Sequence, residues 1–156
     1  MRLPAYQSPE MQRRLLASAL TWVGTPFRGH ANIKGAGVDC VNLAVSVYAE
    51  SGFYFVYNPP SYTLDGGKHL AVSKVASWLE ASGKFDHIEG DTAVGDTLLF
   101  KIGCGVEHHV GVQITSALFI HSIRGYGVIE SNVADPSWAS RFTRAYRPME
   151  GQFEPA

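Results

Sequence analysis

The chain has 156 residues, of which 46% are hydrophobic and 17% charged, and its formal net charge is −1. This composition predicts one globular domain with a packed core, not a disordered chain, and the near-neutral charge without a basic stripe argues against nucleic-acid binding. Two cysteines are too few for a disulfide framework, and no apolar stretch reaches the ~18 residues needed to span a membrane.

The first predicted element is a helix from Pro9 to Trp22. Ser8 precedes it as a suitable N-cap, and a proline suits the first helical position. Apolar residues recur through the segment at helical spacing. Gly24 and Pro26 end the helix, so the glycine-bearing segment from Thr25 to Val38 is predicted to be a loop.

Two more helices are predicted in the first half of the chain. The second begins near Asp39 and ends near Gly52, with Cys40 in its first turn and one apolar face. A loop rich in proline and glycine follows from Tyr54 to Gly67. The third helix is predicted from Leu70 to Ser82.

The second half of the chain is predicted to form short strands separated by glycines. The six strands are Phe85–Ile88, Asp96–Ile102, His109–Thr115, Leu118–Ile123, Val128–Ser131 and Arg141–Tyr146. A helical first half followed by a stranded second half predicts an α+β fold, with the N-terminal helices packed on a C-terminal antiparallel sheet. Residues 1–156 are interpreted as a single domain.

Cys40 is the candidate nucleophile because it lies at the predicted start of a helix. The unpaired N–H groups and the dipole at that end favour an anion, and the same setting lowers the pKa of a thiol. The alternative is that Cys40 is a small buried hydrophobic residue on an apolar helix face, where free cysteines are common. Taken alone, the position favours this second interpretation.

Two histidines downstream change that balance. Strand alternation puts His109, Gly111 and Gln113 on one face of their strand, and Gly111 is predicted to leave room for the helix that carries Cys40. A three-residue connection to the next strand sets Gly111 opposite His121, which makes the two histidines diagonal neighbours on that face. A two-residue turn would instead send His121 to the other face.

Cys40, His109 and His121 are therefore the candidate catalytic residues. A thiolate needs a histidine that takes its proton and later gives it to the leaving amine, and that histidine needs a third group to fix its tautomer and ring angle. The backbone N–H groups at the helix start, including that of Cys40, are the candidate oxyanion hole.

Residues beside the candidate triad are predicted to bind substrate: Phe27, Arg28, Asp39 and His108. Asp39 is also expected to cap its helix, and His108 is expected to point to the face opposite His109, as an exposed or packing residue. The remaining histidines are expected to be solvated: His30, His69 and His87.

A zinc site is an alternative interpretation of several of these residues. Its ligands would be Cys104, His108, His109 and His121. The chain lacks the paired Cys-x-x-Cys or His-x-x-x-His spacing of such sites, so we predict neither a metal nor a cofactor. A bridge between Cys40 and Cys104 stays open at this point and would block the nucleophile.

Five short runs occur in an order that resembles the NlpC-type cell-wall cysteine peptidases. They are Trp22–Arg28, Asp39-Cys40 at a helix start, Gly95–Phe100, His109–Val112 and Phe119–Ser122. The resemblance implies a papain-like α+β fold, with Cys40 as nucleophile, His109 as base and His121 as the third polar residue. It also implies hydrolysis of an amide bond in peptidoglycan stem peptides, typically between γ-D-glutamate and the diamino acid.

A finer resemblance is to the phage-tail and gene-transfer-agent branch of that family. It is carried by the long glycine loop before Asp39, by Pro59-Pro60-Ser61-Tyr62, and by Gly127–Glu130 followed by Trp138 and Arg141. Residues 1–7 lack the apolar core of a secretory signal, so we expect synthesis in the cytoplasm without a signal peptide. Association with a phage or prophage tail, with tail-tip proteins as partners, is then the expected route to the cell wall.

Two positions depart from the family pattern. Phe27 stands where the family usually has tyrosine, and Val41-Asn42 stand where Ser-Gly often follows the cysteine. These departures keep two alternatives to a peptidase open. One is a tail-tip structural protein that has the fold without the activity, and the other is an amidase, deamidase or acyltransferase that uses the same thiolate.

Overall fold

The computed structural model describes residues 2–55, 74–102 and 108–150, within which the chain forms four helices and nine strands. In chain order these are β1 Leu3–Pro4, α1 Pro9–Trp22, β2 Asn32–Ile33, β3 Gly37–Val38, α2 Cys40–Ser51, α3 Lys74–Ala81, β4 Phe85–Ile88, β5 Thr97–Phe100, β6 His109–Gln113, β7 Leu118–Ile123, β8 Gly127–Asn132, α4 Pro136–Ala139 and β9 Phe142–Glu150.

Seven of the strands form one antiparallel sheet with the order β1-β9-β5-β6-β7-β8, and β4 pairs with β9 beside β1. Three of the four helices, α1, α2 and α3, come before every strand of this sheet except β1. This separation of helices from strands along the chain confirms the predicted α+β class. The remaining two strands, β2 and β3, form a small hairpin in the segment predicted to be a loop. None of the helices in the described ranges has the length and apolar character that crossing a membrane requires.

Local capping signals determine where the first two helices begin and end. Ser8 Oγ accepts the backbone N–H of Met11 at 3.2 Å, and Asp39 Oδ1 accepts that of Asn42 at 2.8 Å. Gly52 ends α2 in the left-handed region with a φ of 108°, where a residue without Cβ is favoured. The predicted bounds of α1, and the predicted start and end of α2, are confirmed.

The two faces of the sheet have different partners. On one face, α2 packs its apolar residues against Val110, Val112 and Ile120 in the larger core cluster. On the other face, a smaller cluster contains Phe100 and Phe119, with Trp138 packed against it. Because side chains alternate along a strand, the odd-numbered residues of β6 share this second face; that they share a face is as predicted, but α2 packs on the opposite one.

An ion pair with a buried carboxylate and a partly exposed guanidinium joins the residue before β5 to β9. Arg147 donates from Nε and Nη2 to the two carboxylate oxygens of Asp96 at 2.8 and 2.9 Å, and Asp96 is fully buried. The N–H of Ala93 also donates to Asp96 Oδ2 at 2.8 Å. Asp96 belongs to one of the five family-like runs, and its observed contacts are structural.

Several predicted bounds differ from the observed ones. The strand predicted for Asp96–Ile102 is the shorter β5, and the strand predicted to end at Tyr146 continues through Pro148, which the sheet accommodates beside the short strand β4. The elements that the sequence does not predict, β1, β2, β3 and α4, have two to four residues each, too few for a periodic pattern. Residues 70–73 of the predicted third helix lie outside the described ranges, as do Pro59–Tyr62, His69 and Cys104.

Candidate active site

Cys40 is the first residue of α2 and is held against the sheet by the residues before it. Asp39 caps the helix, and Val38 accepts a hydrogen bond from Ser122 Oγ at 2.8 Å. Ser122 lies on β7 next to His121. The start of α2 is thereby joined to the strand that carries one of the candidate catalytic histidines.

The loop between α1 and β2 is attached to the other side of the same site. Val128 and Thr25 are linked by a backbone hydrogen bond of 2.9 Å, and a Cβ on Gly127 would lie 2.5 Å from the Thr25 carbonyl oxygen. Gly127 also has a φ of 75°, so two constraints favour glycine at this position. The attachment brings Phe27 beside Val38, with which it forms an isolated parallel bridge.

These elements enclose a cleft of about 270 Å³. Its described lining consists of Phe27, Cys40, Ile102, His108, His109, Ser122, Ile123 and Arg124. Cys40 and His109 therefore share one cleft, as predicted from the sequence. The guanidinium of Arg124 lies over the ring of Phe27, 5.4 Å from its centroid, and adds a positive charge to the cleft.

The two candidate histidines are directly hydrogen-bonded. Val112 pairs with Ile120, and the N–H of Ile114 donates to Leu118 at 2.9 Å across a three-residue connection. That register puts His121 diagonally across from His109, and His109 Nε2 lies 2.8 Å from His121 Nδ1. The predicted pairing of the two histidines on one face is confirmed.

A serine that the sequence does not single out extends this pair. His121 Nε2 lies 2.8 Å from the Oγ of Ser131 on β8. The register of β7 with β8 pairs His121 with Ile129, so alternation brings Ser131 to the same face. From the sequence alone, Ser131 cannot be assigned to this site, because its position beside His121 follows from the register of β7 with β8.

Trp138 covers the two imidazoles on the outer side. Its ring stacks on His109 with 5.6 Å between centroids and an interplanar angle of 26°, and it meets His121 edge-on at 4.7 Å and 88°. Arg141 lies over the same indole at 5.8 Å. The indole shields the hydrogen bond between the histidines from solvent, which strengthens it because the local dielectric constant is lower.

In the resting structure the thiol of Cys40 is directed at the backbone and not at an imidazole. Its Sγ donates a weak hydrogen bond to the His108 carbonyl oxygen at 4.0 Å. Within the described residues, no hydrogen bond joins Sγ to the ring of His109. The S–H group therefore has to turn from the His108 carbonyl towards the ring of His109 before its proton can be transferred. Such a change is compatible with catalysis, because catalytic hydrogen bonds often form only in the complex with substrate.

Burial determines the protonation states in the site. Cys40 is only 3% exposed, and this burial, reinforced by the nearby Asp39 carboxylate, raises the pKa of the Cys40 thiol to about 12. The lowered pKa predicted from the helix start is therefore wrong for the resting protein. The backbone N–H group of Val110 on β6, and then those of Val41 and Cys40 at the helix start, do lower the pKa of the thiol, but by less than burial raises it.

Both histidines are neutral in the resting site. Burial, followed by the proximity of His121 and His108, holds the pKa of His109 well below its usual value. Burial also lowers the pKa of His121 to about 4. A neutral thiol that shares a cleft with a neutral imidazole is suited to general-base catalysis, in which the proton leaves sulfur as sulfur attacks.

Alkylation kinetics test this description of Cys40. Because the thiol pKa is raised, we expect iodoacetamide to modify Cys40 at pH 7 at least ~100-fold more slowly than free cysteine, whose pKa is about 8.5. The rate should rise with pH without a plateau between about pH 6 and 10. Mass spectrometry of the Cys40 peptide separates its modification from that of Cys104, and unfolded protein is the control. A plateau near neutral pH would contradict the raised pKa.

The predicted substrate-binding residues have different surroundings. Phe27 and His108 are half-buried and line the cleft, and they remain candidate contacts. Asp39 is fully buried, and its two oxygens accept the N–H groups of Asn42 and His30, so direct contact with substrate requires this cap to break. Arg28 is exposed, is not part of the described lining, and packs its aliphatic stem on Gly37.

Two further predictions about this region need correction. A Cβ on Gly111 would lie 2.6 Å from the ring of Phe119, so this glycine makes room for an aromatic ring and not for α2. His108 was expected on the face opposite His109, but it precedes β6, and strand alternation does not govern it.

Among the described residues, no group of three or more His, Cys, Asp or Glu side chains could hold a metal ion; Cys104 lies outside those residues.

Comparison with known sequences identifies relatives of this chain. The model of the family described as NlpC/P60 matches residues 24–147. A probable endopeptidase from Haemophilus influenzae is 26% identical over 132 residues, covering 81% of this chain and 68% of that protein. The murein DD-endopeptidase MepS/murein LD-carboxypeptidase of Escherichia coli K12 is 25% identical over 143 residues, covering 90% of this chain and 64% of that protein. The chain thus spans about two thirds of the length of these relatives.

Solved structures share the fold. An NLP/P60-family protein similar to a lipoprotein, from Staphylococcus aureus Mu50, aligns with a TM-score of 0.64 and 17% identity, over 95% of this chain and 44% of that chain. The NlpC/p60 domain of the peptidoglycan hydrolase SagA aligns with a TM-score of 0.57 and 20% identity, over 86% of this chain and 96% of that domain. These similarities establish a papain-like α+β fold.

Proposed function

The chain belongs to the NlpC/P60 family, and from that premise we propose that it is a cysteine peptidase that hydrolyses an amide bond in peptidoglycan stem peptides. The observation that supports this most is the shared cleft, which contains Cys40 at the start of α2 and His109 hydrogen-bonded to His121. A nucleophile, a base and a group that orients the base are the parts that acyl transfer through sulfur requires.

The proposed reaction begins when His109 takes the proton of Cys40. Its Nε2 is engaged with His121, so Nδ1 is the nitrogen that accepts this proton while Sγ attacks the amide carbonyl. Backbone N–H groups at the start of α2 stabilise the oxyanion. The C–N bond then breaks, the leaving amine receives the proton from His109, and a thioester remains. Water attacks the thioester with His109 again as base, which releases the carboxylate product and restores the thiol.

The charge of the cleft fits this substrate class. Stem peptides of the proposed type carry free carboxylates, and Arg124 brings a guanidinium to the cleft over the ring of Phe27. Within the proposal, the bond cleaved is the one between γ-D-glutamate and the diamino acid. The two relatives are named as a probable endopeptidase and as a murein DD-endopeptidase/LD-carboxypeptidase. Because these names describe different cleavages, the bond that this chain cleaves has to be identified by experiment.

The proposal includes association with a phage or prophage tail. It is supported by the resemblance of the long glycine loop before Asp39 and of the run Gly127–Glu130 to that branch of the family. The protein should then be present in purified virions or tail particles from a producing strain, detected by mass spectrometry. Its absence from such particles would remove this part of the proposal and leave the peptidase part intact.

A tail structural protein without activity is the second candidate function. The orientation of the Cys40 thiol towards the His108 carbonyl and the raised pKa of that thiol favour it. So does Phe27, whose ring has no hydroxyl to offer a substrate. An amidase, deamidase or acyltransferase would share the proposed chemistry of Cys40 and would differ in the substrate bond or in the acceptor.

Digestion of defined muropeptides tests the proposal. We expect the wild-type protein to convert a disaccharide tetrapeptide into two products whose summed mass exceeds that of the substrate by one water, and tandem mass spectrometry locates the new carboxyl and amine ends. Cys40→Ala should give no product, since the thioester cannot form. Added amines such as glycine peptides show whether the thioester transfers to an amine instead of water. Intact substrate with wild type, or equal cleavage by Cys40→Ala, would defeat the peptidase proposal.

A further inference from the structure

Three side chains form a continuous hydrogen-bonded chain that leads away from the cleft. His109 Nε2 lies 2.8 Å from His121 Nδ1, and His121 Nε2 lies 2.8 Å from Ser131 Oγ. His121 is fully buried. Every polar atom of this chain except Nδ1 of His109 therefore has a partner within it.

Nδ1 of His109 is the ring nitrogen that this hydrogen-bonded chain leaves unused. Among the described residues it makes no hydrogen bond, and His109 lines the cleft together with Cys40. Nδ1 is therefore the nitrogen available to the Cys40 thiol. Whether it presents a lone pair or a hydrogen depends on the tautomer of the ring.

We propose that Ser131 is a positioning residue: by accepting a hydrogen bond from His121, its hydroxyl stabilises the tautomer of His109 that can act as a base, although the same hydroxyl can also donate to His121 in the reversed arrangement. The catalytic part of this inference rests on the proposed function. For Nδ1 of His109 to hold a lone pair, its Nε2 must carry the hydrogen and donate it to His121 Nδ1. The second nitrogen of His121 must then carry a hydrogen, and Ser131 Oγ is its acceptor.

The reversed arrangement is the competitor. In it, His121 Nδ1 donates to His109 Nε2, and His109 points an N–H at the cleft, where it cannot take a proton from Cys40. Without the Ser131 hydroxyl, the productive arrangement leaves the buried N–H of His121 unpaired, whereas the reversed one leaves only an unpaired acceptor nitrogen. Buried N–H groups without a partner are rarer than under-satisfied acceptors, so loss of the hydroxyl should favour the reversed arrangement.

An isosteric pair of variants isolates the hydroxyl. Ser131→Thr and Ser131→Val put the same shape on β8 and differ only in whether an oxygen faces His121. Both are β-branched residues that suit a strand, so both should fold. Thr143→Val is the matched control, because it removes a hydroxyl on β9 that donates to the Leu99 carbonyl of β5 and makes no contact with either histidine among the described hydrogen bonds.

The measurement is the ¹⁵N NMR spectrum of the imidazole rings at neutral pH, which reports the tautomer and needs no substrate. Wild type, Ser131→Thr and Thr143→Val should show hydrogen on Nε2 of both histidines, and Ser131→Val should show hydrogen on Nδ1. On muropeptides, Ser131→Val should lower kcat about 10-fold with little change in KM, since only the base is affected. Ser131→Thr should restore kcat.

The outcomes separate this inference from the proposed function. Wild-type-like ring spectra in Ser131→Val overturn the role of Ser131, whatever the activity. A changed tautomer together with a wild type that cleaves no muropeptide supports the positioning role and defeats the peptidase proposal. Equal loss of kcat in the threonine and valine variants points to packing and also overturns the inference.

Discussion

His109→Ala is expected to lower kcat/KM on muropeptides by at least about 10³-fold while the protein stays folded, because general bases contribute up to about 10⁴-fold and act jointly with their nucleophile. His109 lines the cleft with Cys40, and the nitrogen left free by its bond to His121 is the acceptor for the thiol proton. The measurement is steady-state hydrolysis of a purified muropeptide, with circular dichroism to show that the variant is folded.

His87→Ala is the matched control for this loss. His87 is an exposed histidine on β4, packed against Tyr146 at 5.5 Å between ring centroids, and it is not among the described residues that line the cleft. We expect this variant to keep wild-type kcat/KM. If His109→Ala also kept wild-type kcat/KM, His109 would not be the base.

Asp96→Ala should have the largest effect on stability. It leaves the guanidinium of Arg147 without its two carboxylate hydrogen bonds and removes the acceptor of the Ala93 N–H. Hydrogen bonds to charged groups contribute about 1.5–3 kcal/mol each, and Arg147 keeps some contact with water because its side chain is 25% exposed, so the loss should be about 2–4 kcal/mol, below that of a fully buried pair. Chemical denaturation followed by tryptophan fluorescence measures the free energy of unfolding, and the midpoint should fall with little change in slope.

An exposed ion pair provides the comparison. Arg13 bonds Glu10 at 2.8 Å on α1, and both side chains are about two-thirds exposed. Such pairs contribute about 0–1 kcal/mol, so Arg13→Ala should have a small effect. If Asp96→Ala destabilised the protein no more than Arg13→Ala, the pair of Asp96 and Arg147 would not join β5 to β9 in the way described here.

Local signals predicted the parts of the site that depend on neighbours in sequence. Asp39 before an apolar helical face predicts the cap that positions Cys40 at the start of α2. For the two histidines, the sequence leaves two cases open: a three-residue connection between Ile114 and Leu118 puts His109 and His121 on one face, and a two-residue turn separates them. The observed pairing of Ile114 with Leu118 is the first case. Both arguments need only a few consecutive residues, and the structure confirms the cap.

Other parts of the site depend on contacts between distant segments. Ser131 becomes identifiable only when the register of β8 on β7 is known. Trp138 lies on α4, a single turn that has no periodicity, and its stacking on His109 depends on how the chain after β8 returns to the sheet. The pKa of Cys40 rises because the surrounding core excludes water, which the helix start alone does not indicate.

The buried sulfur of Cys40 has a consequence for chemical durability. Peroxides oxidise thiolates that solvent can reach, first to sulfenic acid and then irreversibly to sulfinic and sulfonic acids. Cys40 is only 3% exposed, and its thiol is protonated at neutral pH, so it is a poor substrate for that sequence of reactions. In the resting protein the Cys40 sulfur is therefore protected from oxidation. We expect it to become susceptible to oxidation only when it turns towards His109 and loses its proton.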